Sequence, residues 1–507
     1  MLKPGAQAES PEEKAMTPAS ITSEPDTQSS TGSNAKVMRE LARRPAKAEA
    51  RMPVLEKYFR KYPETPREII LKADLLGLGH WFSDAALAAT AGTLVKSYRL
   101  FSYDLMKMGD MKRRENRKAP EDFIILGGQY DLRPVAIQTT LAADSPYVVD
   151  VVDGRLVLTV DGKVISEVRY AVAPNYYQNK FADGTAYDEI IAFGGFVTAF
   201  RTCQYWGPDE ECRFCDINEN ARQMKQSRDF TFSAPVKPAK YVHEVAKAVA
   251  AEVAQREGYA APHFYLLTGG TILNKLHGKT ENEFYAEYVQ ALRSSGRRAH
   301  VELQTNAKPL AELKWFQQQG LNGHHANMEV WDRRLFAWMN PGKNRRIGYD
   351  DWVKWMCDSV EVFGAGSVSP NFVGGIEMSR PYGFATVEEA VASTTEGLEF
   401  LMSHGVTPRF NQWRREPHSD LAKHGDQPPI PLDYYVQLMR NRWEIWKKYR
   451  LPMPCRRAGL HAGSGYLGAS HGTYDDYILL MENAYPSNVV ELIDRYSTPF
   501  DNLPCGA

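Results

Sequence analysis

Apolar residues run through the middle of the chain in two alternating rhythms, and the alternation predicts its architecture. Between 190 and about 415, short strand-like runs rich in apolar residues fall at 190–200, 263–267, 300–306, 323–330, 359–363 and 406–411. Between them lie stretches whose apolar positions recur every three or four residues, as in 238–256, where Val242, Val245, Ala246, Val249 and Val253 share one side. The first rhythm marks buried strands and the second marks helices with one covered face. Further helices are predicted at 281–293, 309–319, 349–357 and 388–404. Six strands alternating with helices predict an α/β fold, a partial or full TIM-like (β/α) barrel of parallel strands.

The flanks read differently. Residues 1–34 are rich in Pro, Ser, Thr, Glu and Gly and have no hydrophobic period, so a disordered tail is expected. Residues 35–121 read as a helical N-terminal region, broken at Pro45 and Pro53, with a helix opened by Pro66 and another stretch across 83–106. Residues 122–189 read as a small β-rich element, with strands at 123–126, 147–152, 156–160 and 164–165. Asp153-Gly154 and Asp161-Gly162 supply its hairpin turns. Residues 416–507 form a C-terminal extension of helices and loops. It includes an aromatic amphipathic helix at 432–449 and a glycine-rich loop at 459–472, and it is expected to cover the barrel mouth.

Composition narrows the function classes. Charged residues make up 24% of the 507 and the formal net charge is −1, which gives no sign of a nucleic-acid partner. No apolar run approaches the length of a membrane span, and the N-terminus lacks an apolar signal core, so a cytoplasmic protein is expected. Six cysteines are too few for a disulfide scaffold.

Half of those cysteines stand together. Cys203, Cys212 and Cys215 follow the first strand with the spacing C-x8-C-x2-C. Thiolates favour zinc, copper(I) or iron–sulfur clusters. A structural zinc site usually closes with four ligands, and here no fourth cysteine or histidine follows nearby. Three ligands and a missing fourth suit a [4Fe-4S] cluster with one iron open to a small molecule. The alternatives are a zinc loop or three unrelated buried thiols.

The motif resembles the radical S-adenosylmethionine (SAM) superfamily, in which three cysteines hold the cluster and its fourth iron binds the amino and carboxylate groups of SAM. The chain has the family's final C-x2-C and, in Phe214, its aromatic residue before the last cysteine. Its first gap is eight residues where the family usually has three. The resemblance covers roughly 190–415 and implies roles at the strand ends. Gly269, Gly270 and Thr271 resemble the Gly-Gly-Glu motif that contacts the methionine amino group, with Thr271 in place of the acid. Thr305 ends strand three, and Asn327 and Glu329 share one face of strand four; these are the expected polar contacts, Glu329 being preferred for the SAM carboxylate or ribose. Arg345, or its neighbours Arg333 and Arg346, is expected to neutralise the SAM carboxylate. Val373 and Phe410 are expected beside the adenine.

The resemblance further implies reductive cleavage of SAM to a 5′-deoxyadenosyl radical, which takes a hydrogen atom from a small-molecule substrate. An external one-electron donor, such as a flavodoxin or ferredoxin, is implied. Cys455, between a proline and two arginines, and Cys505, near the chain end, are the candidate reactive thiols. Two other readings stay open: transfer of a 3-amino-3-carboxypropyl group from SAM, and a zinc- or cluster-stabilised binding protein without turnover.

Overall fold

The computed structural model describes residues 50–93, 95–97, 118–192, 195–207, 209–219, 235–255, 264–297, 299–416, 419–452, 472–484 and 490–491. Helices α1 (Arg51–Lys61) and α2 (Arg67–Leu78) open it, with Pro66 at the N-cap of α2 and Glu68 to Leu76 buried. Strand β1 (Trp81–Phe82) and helix α3 (Asp84–Ala88) follow. Of the helical stretch expected across 83–106, residues 94 and 98–106 lie outside the described residues, and within the described part the helix stops at Ala88. The Thr90 and Thr93 hydroxyls turn back onto the carbonyls of Leu87 and Thr90, each at 2.7 Å, and Gly92 adopts φ +74°. Such local bonds compete with helix propagation. Instead, β2 (Val95–Ser97) pairs antiparallel with β3 (Lys118–Pro120).

The next strands, β4 (Asp122–Gly127), β5 (Leu132–Gln138), β6 (Tyr147–Val152), β7 (Arg155–Val160) and β8 (Lys163–Arg169), join β1 in one sheet of order β1-β6-β7-β8-β4-β5. Both Asp-Gly pairs have positive φ, 51° and 76° in each, the torsions of a two-residue type I′ hairpin. The periodicity passed over β5 because Pro134 interrupts its run. Proline is tolerated there because β5 ends the sheet order.

A parallel β/α region follows. Its elements are β9 (Phe196–Phe200), α4 (Ala239–Gln255), β10 (Phe264–Gly269), α5 (Glu281–Arg293), β11 (His300–Gln304), α6 (Leu310–Gln318), β12 (Gly323–His325), α7 (Arg333–Met339), α8 (Pro341–Arg346), α9 (Tyr349–Phe363), β13 (Asn371–Gly374), α10 (Val387–Ser403) and β14 (Arg409–Gln412). Helix α11 (Leu432–Tyr449) and helix α12 (Asp475–Met481) complete the described chain. This region has six parallel strands among the described residues. They form a four-stranded sheet, β12-β11-β10-β9, and a two-stranded sheet, β13-β14, linked by one parallel bridge between Glu329 and Phe372.

Three strand expectations are corrected. The first strand begins at Phe196, because Ala192 and Phe196 exchange both backbone hydrogen bonds across a tight turn. The strand expected at 359–363 is the last part of α9. Trp352, Val353, Met356, Ser359 and Val362 are buried at helical spacing, and no glycine or proline intervenes before Gly364. The fifth strand is β13 instead. The fourth strand stops at His325, and the chain then crosses to β13, where Asn371 O accepts from the N–H groups of Met328 and Glu329.

Side chains alternate across a strand, so each strand of the four-stranded sheet has two distinct faces. Val197, Ala199, Tyr265, Leu267, Val301 and Leu303 share one hydrophobic core with Val242, Val245 and Val249 of α4 and Phe284, Tyr288 and Leu292 of α5. The opposite face therefore carries Thr198, Thr268 and Gln304, which pair in register across β9, β10 and β11.

The C-terminal helices lock onto this frame through buried charges. Asp475 pairs with Arg409 of β14 at 2.8 Å and with Arg442 of α11 at 2.6 Å, while Asp476 pairs with Lys72 of α2 at 2.5 Å. The Tyr474 hydroxyl is hydrogen-bonded to the Gln412 amide at 2.6 Å.

Candidate metal centre

The cysteine loop leaves the carboxyl end of β9, where sites of parallel β/α folds form. Its shape is set by a few polar side chains. Asn218 accepts from Cys203 N–H at 2.8 Å and donates to Tyr205 O at 3.1 Å and Glu211 Oε1 at 3.0 Å, so one buried amide spans the long gap in the motif. Gln204 Oε1 accepts from the N–H groups of Leu273 and Asn274 at 2.8 and 2.7 Å. Between the last two cysteines, Arg213 N–H donates to Met339 O at 2.8 Å and its guanidinium donates to Trp338 O at 2.9 Å and reaches Asp420. Cys215 N–H donates to Cys212 O at 2.9 Å, closing the C-x2-C turn.

The end of β10 lies directly against this loop. A Cβ on Gly270 would stand 1.8 Å from Thr202 O and 2.6 Å from Cys203 Cα, so only glycine permits the approach. Thr271 O accepts from Gln204 N–H at 2.8 Å, and Thr271 N–H donates to Cys203 Sγ at 3.3 Å. Helix α5 holds this turn from behind. The Tyr285 hydroxyl donates to Gly270 O at 2.9 Å, and Glu281, itself paired with Lys308, accepts from Ile272 N–H at 3.0 Å. The Thr271 hydroxyl donates to Asn306 Oδ1 at 3.1 Å.

On the other side stand α7 and α8. Gly342 N–H donates to Glu210 O at 3.2 Å, and a Cβ there would lie 2.5 Å from the Tyr205 ring. The next residue, Lys343, buries its ammonium and donates to Glu329 Oε1 at 2.7 Å and to Asn327 O at 3.0 Å, with its nitrogen 4.8 Å from the Trp352 ring centre. Burial works against this charge, but Glu329 and the Cys212 and Cys203 sulfurs more than offset it, and the lysine pKa is raised.

Burial raises the pKa of all three thiols. Burial pushes Cys212 up to about 12, against the pull of Lys343. Burial, then the charges of Cys212 and Asp216, push Cys215 well above the ordinary thiol value, while Ile217 N–H favours its thiolate. Burial raises Cys203 too, against the N–H groups of Tyr205 and Thr271 and the Lys343 charge. Three soft donors on one loop, with backbone N–H groups directed at two of them and a buried cation beside two of them, fit an iron–sulfur cluster. Metal binding displaces thiol protons. No group of three His, Cys, Asp or Glu side chains among the described residues is arranged to hold a single ion. In a [4Fe-4S] cluster each thiolate takes a different iron.

The other expected residues divide. Gly269, Gly270 and Thr271 lie at the cysteine loop. Asn327 and Glu329 reach the same corner, but not as one face of a strand. Asn327 Oδ1 accepts from Gln304 Nε2 at 2.9 Å and Asn371 N–H at 3.1 Å, while Glu329 has left the ladder at φ +67°. Thr305 turns to the helix side and meets His324 Nε2 at 3.1 Å; Gln304 takes the opposite face, donating to Asn327 and accepting from Thr268 at 3.1 Å. Arg345 lies on α8. Its side chain is about half exposed and pairs with Glu210, as does that of Arg346, while Arg333 pairs with Asp350. Val373 is half-buried in β13 opposite Asn411. Phe410 is 1% exposed, with its ring behind Gly374 and 5.2 Å from that of Tyr474. Cys455 and Cys505 lie outside the described residues. Cys357 lines a separate cleft of about 610 Å3 with Trp331, Tyr349, Phe400 and His404, a cleft to which no residue of the cysteine loop contributes.

Sequence reasoning missed Asn218, Asn306 and Lys343. Period two offered a signal for one of them: Gln304 and Asn306 share a face that Thr305 does not.

No model of a known protein family matches the chain. Bacteriochlorophyllide c C-7(1)-hydroxylase of Chlorobaculum limnaeum is 26% identical over 146 residues, which is 28% of this chain and 33% of that protein. The match thus spans about a third of this relative's length. Among solved structures, methylornithine synthase superposes with a TM-score of 0.34 at 13% identity, over 49% of this chain and 61% of its own. A maturase of the [FeFe]-hydrogenase gives 0.35 at 14%, over 50% and 49%. Coproporphyrinogen III oxidase from Escherichia coli, described as a radical SAM enzyme, gives 0.29 at 11%, over 50% and 51%. The functional reading therefore rests on the chain's own residues.

Proposed function

We propose that the protein is a radical SAM enzyme, with Cys203, Cys212 and Cys215 as the ligands of a [4Fe-4S] cluster. The observation that carries this reading is the junction of the cysteine loop with the Gly269–Thr271 turn, where Thr271 N–H donates to Cys203 Sγ and glycine alone permits the contact. When bound, the cluster and SAM supply reductive carbon–sulfur cleavage and a radical that starts chemistry on a small-molecule substrate. The chain's own groups hold and orient. The Gly269–Thr271 turn presents backbone groups and a hydroxyl toward the amino acid part of SAM, and Lys343 supplies the buried positive charge expected of Arg345. Thr198, Thr268, Gln304 and Asn327 offer a polar face for substrate on the side of the sheet away from the hydrophobic core. An external one-electron donor completes the reaction.

The test is anaerobic iron–sulfur reconstitution followed by SAM and a strong reductant, with the nucleoside product identified by mass. 5′-Deoxyadenosine is the expected product. 5′-Methylthioadenosine would redirect the chemistry to aminocarboxypropyl transfer. A colourless protein that yields neither nucleoside would refute the enzymatic reading.

A further inference from the structure

We propose that the buried Lys343–Glu329 pair sets the reduction potential of the thiol-bound centre: the ammonium favours the reduced state, and Glu329 limits how much of that charge is felt. This rests on the iron–sulfur reading above.

Position comes first. The corner between α7 and α8 grips the cysteine loop on both sides of Cys212, through Gly342 against Tyr205 and Glu210 and through Met339 O accepting from Arg213 N–H. Lys343 follows that corner directly. Its charge reaches both Cys212 and Cys203.

Burial comes second. Lysine and glutamate are rarely buried unless paired, and Lys343 and Glu329 are 8% and 7% exposed. Arg345 and Arg346, on the same short helix, are half exposed and spend their charge on Glu210 beside water. Exposed charges are screened by salt within about 10 Å at 0.1 M, buried ones much less. Lys343 is therefore the cation of this helix least screened by water and salt.

Strain comes third. Glu329 sits at φ +67°, a left-handed torsion costly for a side chain with a Cβ. Such a residue persists only where its surroundings over-determine it. Here they do: Glu329 N–H donates to Asn371 O at 3.1 Å, Val373 N–H donates to Glu329 O at 2.9 Å, and the carboxylate is anchored on Lys343. The backbone is thus held where the carboxylate meets the one buried ammonium of the corner.

Reduction adds one negative charge to a cluster. A nearby cation lowers the cost of that step and a nearby anion raises it, so the two halves of the pair act with opposite sign. The experiment is a redox titration of the anaerobically reconstituted full-length protein, followed by electron paramagnetic resonance of the reduced cluster, on wild type, Lys343→Met, Lys343→Arg and Glu329→Gln. Lys343→Met is expected to lower the reduced-to-oxidised ratio at a fixed potential at least tenfold, about 59 mV for one electron. Glu329→Gln is expected to move the potential upward, and Lys343→Arg to leave it near wild type. General loosening of the site would move both charge-removing variants the same way, so shifts of one sign, or none, overturn the inference. Should Lys343→Met fail to fold, the sign of the Glu329→Gln shift decides alone. A wild-type protein that takes up no cluster overturns both this inference and the reading beneath it; a cluster with unmoved potentials overturns the inference only.

Discussion

Replacing Gly270 with alanine is the most direct test of the junction on which the site is built. The φ of Gly270 is not in the left-handed region, so alanine is opposed there by space and not by torsion. The added methyl would stand 1.8 Å from Thr202 O, 2.5 Å from Thr202 C and 2.6 Å from Cys203 Cα, all backbone atoms that cannot swing aside. Reaching an ordinary contact requires the turn and the loop to part by roughly 1.6 Å. That displacement breaks the Gln204 N–H to Thr271 O bond, now 2.8 Å, and the Thr271 N–H to Cys203 Sγ bond, now 3.3 Å. Two lost bonds cost about 0.5–1.5 kcal/mol each, and residual strain adds about 1–3 kcal/mol. The expected loss is about 2–6 kcal/mol by urea denaturation, with iron uptake on reconstitution falling in parallel. A Gly270→Ala protein with a wild-type urea midpoint and full iron content would refute the proposed contact.

The remaining predictions address what surrounds that junction. Asn218→Ala leaves Cys203 N–H and Tyr205 O without their shared partner, and should cost about 1–3 kcal/mol in urea unfolding and lower the iron bound per chain. Lys72→Met strips the partner from Asp476 in a pair 0% and 2% exposed, and should cost about 3–5 kcal/mol, much of it regained in Lys72→Met with Asp476→Leu. Asp475 and Asp476 should respond oppositely to pH. Burial pushes the Asp475 carboxyl up, but Arg409, Arg442 and Lys72 more than offset it and hold its pKa down, so its stabilisation is present above the ordinary value of about 3.9 and lost as pH falls through the lower folded value. Burial raises Asp476 to about 6 in spite of Lys72, so its contribution is present below about 3.9 and lost as pH rises through about 6. Urea midpoints measured from acid to neutral pH check both: Asp475→Asn should lose most at neutral pH, and Asp476→Asn should abolish the decline across the window of Asp476.

How much of this was legible in the residues differs by element. Helices α5 and α11 stand where their periodicity places them, because one face of each is covered by a single core and the 3.6 period survives intact. The two Asp-Gly hairpins were legible because positive φ at consecutive positions leaves few residue choices. The stretch at 359–363 was misread because a short apolar run cannot tell a buried strand from the end of a helix. Period two failed at Asn327 and Glu329 for a different reason: the strand ends at His325, and the backbone beyond it bonds to β13 instead of continuing the ladder. The expectation of Arg345, Arg333 or Arg346 followed the chemistry of carboxylate recognition, in which arginine is the better fork. Lys343 is the buried cation of α8, and burial on a six-residue helix depends on how Gly342 seats against Tyr205, a contact distant in sequence.

That contact also accounts for the long first gap in the cysteine motif. In an eight-residue gap the chain has room to send Tyr205 under Gly342 and Glu210 out to Arg345 and Arg346 before returning to Cys212. The extra residues are therefore not slack. They form the surface on which α8 is seated, and seating α8 is what brings a lysine ammonium, buried and paired with a strained glutamate, beside the sulfurs of Cys203 and Cys212. A shorter gap would hold the same three thiols but would offer α8 no such seat. On this argument the unusual spacing and the buried Lys343 are one feature, and shortening the loop should remove the charge from the site even where the thiols still bind iron.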